Sequence, residues 1–157
     1  MADSKLLGTG GGLSEKLLAS SLVKCPDLSS QDWTVLKGRI LSWNTRGFWC
    51  VKEQLRERKQ YWLKQLLHCA EIVLIQESHV TVGTFEAFKF WAASEGIYWR
   101  GSPAARRSDG VLALSFYPLD NWTSSELVPG RIQRLFCAKE GRLLFNLHLH
   151  SGEATVR

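Results

Sequence analysis

The chain has 157 residues, of which 45% are hydrophobic and 11% aromatic. That length allows one domain with a substantial buried core, and the composition excludes a disordered chain. The formal net charge of +5 mildly favours a polyanionic partner such as nucleic acid, although a charge that only keeps the protein in solution gives the same number.

The spacing of the cysteines and the length of the apolar runs indicate which cellular compartment suits the protein. Cys25, Cys50, Cys69 and Cys137 lie far apart and form no CxxC pair, unlike a zinc site or a dense disulfide framework. We expect buried free thiols, which suit a reducing compartment and indicate an intracellular protein of the nucleus or cytoplasm. Polar residues interrupt every apolar stretch before it reaches the length of a membrane span, so no membrane association is expected.

Residues 1–37 differ in composition from the rest of the chain. A glycine-rich run at 8–12 and the Pro- and Ser-containing residues 25–30 predict a flexible leader, with a short helix over 13–23 between them. A phosphate-binding loop is disfavoured, because no strand precedes the glycines and no Gly-Lys-Ser/Thr sequence follows them. We therefore expect one domain over residues 38–157.

A strand–helix–strand unit opens this domain. Residues 40–43 form a short apolar run that ends in a polar loop, which predicts a strand. The spacing of apolar residues predicts a helix over 51–69, with a solvated basic face. Its predicted inward face consists of Val51, Leu55, Trp62, Leu66 and Cys69. Residues 71–75, almost wholly apolar from 72 to 75, then predict an interior strand, which the handedness of such units places parallel to the first.

The remainder of the chain predicts one more helix and a meander of strands. These elements are a helix over 84–95, with Phe85, Phe88, Trp91 and Ala92 inward, and strands over 97–100, 111–117, 132–138 and 143–149. The tight turn at 139–141 predicts an antiparallel hairpin of the last two strands. Together the elements predict an α/β fold, a mixed β-sheet with packed helices on one face.

Two polar residues directly follow the first two predicted strands. Asn44 comes after the first and Glu77 after the second, so both emerge at the carboxyl edge of a parallel pair, where open α/β sheets bind ligands. A carboxylate there suits Mg²⁺, and a neighbouring amide can donate to it while its oxygen faces metal or phosphate. An ordinary strand-end Glu and a turn-forming Asn explain the same spacing.

The last predicted strand carries a polar face. Asn146, His148 and His150 alternate with Phe145, Leu147 and Leu149, so the two sets lie on opposite faces. His148 could donate a proton to a phosphate oxygen or to a leaving group. A zinc pair of His148 and His150 has no evident third ligand.

Basic and aromatic residues suggest substrate contacts. Arg100, Arg106 and Arg107 flank a loop of Gly, Ser and Pro before residue 110 and could face phosphates, although a solvated loop explains them equally well. Trp99 could stack on a base, but a core position is the commoner role for such a residue.

Four segments resemble motifs of the endonuclease/exonuclease/phosphatase superfamily, in the same order along residues 38–157. Residues 40–47 (ILSWNTRG) are similar to its opening strand and metal-site Asn. Residues 72–79 (IVLIQESH) resemble its second motif, whose Glu binds the metal, and the QESH form is most similar to LINE-type retrotransposon endonucleases, relatives of abasic-site endonucleases. Residues 109–114 (DGVLAL) resemble its glycine–valine strand, and residues 144–148 (LFNLH) its strand with a catalytic Tyr or His.

The resemblance implies about half of a four-layer α/β sandwich and divalent-metal-dependent phosphodiester hydrolysis, endonuclease-like on DNA. It implies Mg²⁺, with Mn²⁺ as an alternative, held by Glu77 and Asn44, and it implies catalytic roles for His148 and Glu77. Substrate contacts are expected from His79, Arg106 and Arg107. A phosphatase or lipid phosphodiesterase of the same superfamily stays open, as does a catalytically dead remnant that binds nucleic acid or a partner chain.

The sequence departs from the family pattern in two ways. His148 stands where retrotransposon and abasic-site enzymes usually carry Tyr, although deoxyribonuclease-like and sphingomyelinase-like members use His. The later glycine-aspartate-x-asparagine and serine-aspartate-histidine motifs are absent, since the Ser108-Asp109 pair precedes a glycine. Residues that would orient the attacking water are therefore missing. We expect a truncated domain, weak or inactive alone, whose missing C-terminal half is a potential partner.

Overall fold

The structure, a computed structural model, describes residues 37–104, 106 and 109–149. The helices are α1 (Glu53–Leu67) and α2 (Phe85–Ser94), and a short 3-10 turn at Val82–Thr84 precedes α2. The strands are β1 (Ile40–Asn44), β2 (Ile72–Gln76), β3 (Tyr98–Gly101), β4 (Val111–Ser115), β5 (Trp122–Val128), β6 (Ile132–Cys137) and β7 (Arg142–Leu147).

The first sheet contains β1, β2, β4 and β3, in that order. β1 and β2 run parallel, as predicted, and their register pairs Asn44 with Gln76 at the carboxyl ends. β4 runs antiparallel to both β2 and β3, so the sheet is mixed. Every residue of β2 and β4 is buried. Their nearly unbroken apolar sequences follow from this position, because both faces of the sheet are covered.

The second sheet is antiparallel and contains β5, β6 and β7. The predicted hairpin of β6 and β7 is confirmed, and Gly141 in its turn has a φ of +63°, which favours glycine. β5 was missed from the sequence, because its residues WTSSELV are mostly polar. The predicted mixed α/β fold is confirmed, but only β3 and β4 of the predicted meander extend the first sheet, whereas β6 and β7 join β5 in a sheet of their own.

The two helices cover one face of the first sheet, and the second sheet packs on the other. Leu63 of α1 and Phe88 of α2 are fully buried in one cluster with Val73 of β2. Ile72, which points the opposite way from β2, packs in a second cluster with Leu135 of β6. Burial of each such side chain contributes roughly 1.5–3 kcal/mol. The two clusters therefore hold three layers together.

The inward face of α1 differs from the predicted one. Leu63 and Leu67 are buried, whereas Val51 is 75% exposed and Leu55 is 40% exposed. The apolar residues of this segment occupy two adjacent stripes, and spacing alone does not tell which stripe faces the sheet. The inward face of α2 is as predicted, with Phe88 fully buried.

Cysteine chemistry differs in part from the expectation. Cys50 and Cys137 are free thiols, but Cys69 is disulfide-bonded, so the prediction of free thiols is wrong for Cys69. Separation along the sequence was a poor guide here, because it does not set the distance between two sulfur atoms in space.

Two other predictions concern the N-terminal leader and association with a membrane. The predicted leader, residues 1–37, lies outside the described residues except for Lys37. Across the part of the chain that the structure describes, no helix has both the length and the apolar character needed to cross a membrane.

Candidate active site

The carboxyl ends of β1 and β2 bring two predicted site residues together. Nδ2 of Asn44 donates a hydrogen bond to Oε1 of Glu77 at 2.9 Å, as expected for neighbouring parallel strands. Oδ1 of Asn44 accepts from the backbone N–H of Arg46 at 3.0 Å and keeps a second lone pair for another partner. An amide and a carboxylate thus share one edge of the sheet.

His148 reaches the same carboxylate from the second sheet. It follows β7 directly, is 8% exposed, and its Nε2 atom lies 3.2 Å from Oε1 of Glu77. Its backbone N–H donates to the carbonyl of Arg131 at 2.8 Å, which prolongs the pairing of β7 with β6. Asn146 and His148 both point towards the first sheet, while the alternating apolar side chains face outward. His150 lies outside the described residues.

Hydrogen bonds between the loops after β1 and β2 hold the backbone of Glu77 in place. The hydroxyl of Thr45 donates to the backbone carbonyl of Glu77 at 3.0 Å, and the backbone N–H of Gly47 donates to the same carbonyl at 2.8 Å. Glu77 has a φ of +52°, and Arg46 and His79 have φ angles of +46° and +56°. Such angles cost a non-glycine residue about 1–3 kcal/mol and persist where surrounding contacts impose them, often at functional sites.

Lys59 belongs to this site, although the sequence did not single it out. Its Nζ atom donates to the backbone carbonyls of Arg46 and Gly47 at 3.0 and 2.7 Å, which ties α1 to the loop after β1. Burial lowers the pKa of Lys59, and the nearby Cys50 and Glu77 oppose that shift. The sequence shows Lys59 only as one of several basic residues on a helix, because backbone carbonyl partners leave no side-chain signature.

The predicted substrate contacts have different surroundings. His79 packs its imidazole against Gly47, where an added Cβ would lie 2.6 Å from Nδ1. Arg106 is exposed on the loop between β3 and β4, and this loop hydrogen-bonds to the segment that follows Glu77. Arg107 lies outside the described residues.

Two further candidates for substrate contact serve the fold. Arg100 donates to the backbone carbonyls of Leu119 and Trp122 at 2.6 and 3.1 Å, so its guanidinium joins the edges of the two sheets and does not face phosphate. Trp99 packs edge-on against Phe85 and Phe88, with ring centroids 5.2 and 5.8 Å away. This is the core role that the sequence favoured.

The donor set of the site fits a hard divalent cation. Oε1 of Glu77 accepts the hydrogen bond from Asn44 and lies 3.2 Å from Nε2 of His148. Mg²⁺ accepts one or two protein carboxylates and keeps several waters, so Oε2 of Glu77 and Oδ1 of Asn44 could hold it. Within the described ranges no group of three or more His, Cys, Asp or Glu side chains is placed to hold a metal ion.

Comparisons with known proteins identify the fold. The sequence matches no protein-family model and no curated protein. The structure is similar to the AP endonuclease LMAP from Leishmania major, with a TM-score of 0.52 and 17% identity over 71% of this chain and 40% of that one. It also matches the human Nocturnin catalytic domain with bound sulfate anion, with a TM-score of 0.38 and 18% identity over 68% of this chain and 47% of that one.

Both of these proteins belong to the endonuclease/exonuclease/phosphatase superfamily. The likeness to the AP endonuclease shows that the described part of the chain has a partial form of that superfamily's α/β fold. The chain spans less than half the length of either protein.

Proposed function

We propose that residues 38–157 form the N-terminal part of a divalent-metal-dependent phosphodiester hydrolase that cuts DNA as an endonuclease. The observation that carries this proposal is the convergence of Asn44 and His148 on one carboxylate oxygen of Glu77, at 2.9 and 3.2 Å. Phosphodiester hydrolysis needs an activated water on one side of phosphorus and help from a metal or an acid for the leaving oxygen on the other. Oxygen ligands next to a proton donor supply the second requirement.

Each side chain has one role in this proposal. Glu77 and Asn44 hold Mg²⁺ or Mn²⁺, which when bound polarises the phosphate and lowers the pKa of a coordinated water. The hydrogen bond from Asn44 engages Oε1 of Glu77 and leaves Oε2 for the cation. His148 holds a proton at Nε2 beside Glu77 and gives it to a phosphate or leaving oxygen that binds there.

DNA is the proposed substrate because the charge and the sequence motif agree. The net charge of +5 favours a polyanion, and the QESH segment is similar to retrotransposon endonucleases. The structurally similar protein from Leishmania major is named an AP endonuclease. His79, Arg106 and Arg107 are the proposed phosphate contacts.

The chain alone should hydrolyse DNA slowly or not at all. The glycine-aspartate-x-asparagine and serine-aspartate-histidine motifs, to which the resemblance assigns the activation of water, do not occur in this sequence. Loss of a general base lowers the rate by ~10²–10⁴-fold. The same observation favours a second candidate function, a remnant that binds DNA or a partner chain without cleaving.

Nicking of supercoiled plasmid in the presence of Mg²⁺ tests the proposal. We expect slow conversion to open circles by the wild-type chain, abolished by EDTA and by Glu77→Gln. Glu95→Gln is the matched control, because Glu95 is similarly exposed (32% against 25%) but pairs with Lys64 beyond the end of α2. Nicking that survives both EDTA and Glu77→Gln contradicts the proposal. Retention of DNA without any nicking favours the binding remnant.

A further inference from the structure

A ladder of buried amide side chains lies directly beneath the candidate site. Gln76, Asn146 and Gln133 are 6%, 1% and 0% exposed. Nε2 of Gln76 donates to Oδ1 of Asn146 at 2.5 Å, and Nε2 of Gln133 donates to the backbone carbonyl of Arg100 at 2.9 Å. The ladder crosses the interface between the two sheets, where most other side chains are apolar.

Asn146 is the member of the ladder that joins the sheets most directly. It lies on β7, at the edge of the second sheet, and its Nδ2 atom is 3.1 Å from the backbone carbonyl oxygens of both Ile75 and Leu112. These residues belong to β2 and β4, the two central strands of the first sheet. With Gln76 as donor to its oxygen, Asn146 has both of its polar atoms satisfied, which a buried amide requires.

The apolar contacts between the two sheets fix the alignment of the sheets less precisely than hydrogen bonds do. Side chains such as Leu74 and Leu135 pack through the hydrophobic effect, which has no direction of its own. A hydrogen bond, in contrast, requires a narrow range of distance and angle. The hydrogen bonds of the Asn146 amide therefore fix where β7 lies along the direction of β2.

We propose that Asn146 is a positioning residue that sets β7 against β2 so that His148 meets Glu77. Asn146 lies two residues before His148, and its partner Gln76 lies immediately before Glu77. A strand rises by about 3.3 Å per residue, so a slip of one residue would carry Nε2 of His148 away from the oxygen that it now contacts at 3.2 Å. Only the consequence for hydrolysis rests on the proposed function.

NMR spectroscopy of the full chain tests this geometry without metal or substrate. In the wild-type protein we expect a nuclear Overhauser contact between the ring protons of His148 and the side-chain protons of Glu77. Asn146→Leu, which is similar in size but cannot form the hydrogen bonds, should lose this contact. The contact between Asn44 and Glu77 should remain, because the pairing of β1 with β2 holds it.

A matched control separates positioning from general packing. Leu135→Ala removes a buried side chain from the same interface but no hydrogen bond, and it should keep the contact between His148 and Glu77. Should Asn146→Leu fail to fold, Asn146→Ser removes the same amide with room for a water. The proposal is overturned if the contact persists in a folded Asn146 variant, or if Leu135→Ala loses it equally.

The rate of DNA hydrolysis gives a second readout, separate from the nuclear Overhauser contact. If the wild-type chain nicks DNA, Asn146→Leu should lower kcat by about 10²-fold, the usual consequence of a small misplacement of a catalytic group, with little change in KM. An unchanged kcat would also overturn the proposal. If the wild-type chain does not nick DNA, the proposed function fails while the contact between His148 and Glu77 still decides the role of Asn146.

Discussion

Gly47→Ala should disturb the loop that orders the candidate site. Gly47 has a φ of +90°, and a Cβ built on it would lie 2.6 Å from Nδ1 and 2.8 Å from Cε1 of His79. Its backbone N–H also donates to the carbonyl of Glu77 at 2.8 Å. An added methyl group must therefore displace the imidazole, change the backbone angle or lengthen this hydrogen bond.

The expected loss in the free energy of unfolding for Gly47→Ala has two parts. A left-handed backbone costs alanine roughly 1–2 kcal/mol, and overpacking typically adds about 1–3 kcal/mol. Gly47→Ala should therefore lower the free energy of unfolding by about 2–5 kcal/mol. Gly141→Ala isolates the first part, because Gly141 has a φ of +63° and no atom within 4 Å of its built Cβ, and it should cost only about 1–2 kcal/mol.

Urea unfolding followed by circular dichroism measures both losses. The double variant Gly47→Ala/His79→Ala removes the imidazole that the methyl group meets, so it should recover the overpacking part and the two changes should not be additive. Equal losses for Gly47→Ala and Gly141→Ala, together with no recovery in the double variant, would refute the close contact of Gly47 with His79.

Three further predictions concern charged side chains. Lys59→Met removes the donor to two loop carbonyls and should destabilise the fold by about 1–3 kcal/mol in urea. Arg142→Met leaves the carboxylate of Glu71, 6% exposed, without the guanidinium that contacts it at 2.7 and 2.9 Å, and should cost about 3–5 kcal/mol in thermal unfolding. The hydrogen bond from Lys37 lowers the pKa of Glu140, so its stabilising contribution is present above the ordinary pKa near 4.5 and is lost as pH falls through the lowered value. Glu140→Gln should therefore be less stable than wild type at about pH 7 but equally stable at about pH 2.

The outcomes that would contradict these predictions differ. Unchanged urea midpoints for Lys59→Met would show that its hydrogen bonds contribute nothing net. A loss under about 1 kcal/mol for Arg142→Met would be typical of an exposed ion pair and would contradict the burial of Glu71. A stability difference for Glu140→Gln that is the same at both pH values would show that the charge of Glu140 is not its cause.

The meeting of Asn44 and Glu77 could be predicted from the sequence, because it depends only on elements that follow one another along the chain. Asn44 and Glu77 each end an apolar strand, and the strand–helix–strand connection fixes those strands as parallel neighbours. The amide and the carboxylate therefore meet wherever the unit folds. Their hydrogen bond at 2.9 Å needs no information from the rest of the chain.

The rest of the candidate site depends on contacts between distant segments. The alternation of the last strand predicts that Asn146 and His148 share a face, but the sequence does not show that this face turns towards β2 from a separate sheet. β5 was missed for a related reason, since an edge strand with little buried surface carries few apolar residues. Lys59 was missed because its partners are backbone atoms, which every residue type carries.

Mn²⁺ titration of the ¹⁵N-labelled chain tests most directly the proposal that Glu77 and Asn44 hold one divalent cation beside His148. The paramagnetic ion should first broaden the side-chain amide of Asn44, the backbone amide of Glu77 and the ring of His148. Gly141, at the other end of β7 and roughly 20 Å away, should stay sharp, and Glu77→Gln should abolish the pattern. Equal broadening at Gly141, or an unchanged pattern in Glu77→Gln, would contradict the account.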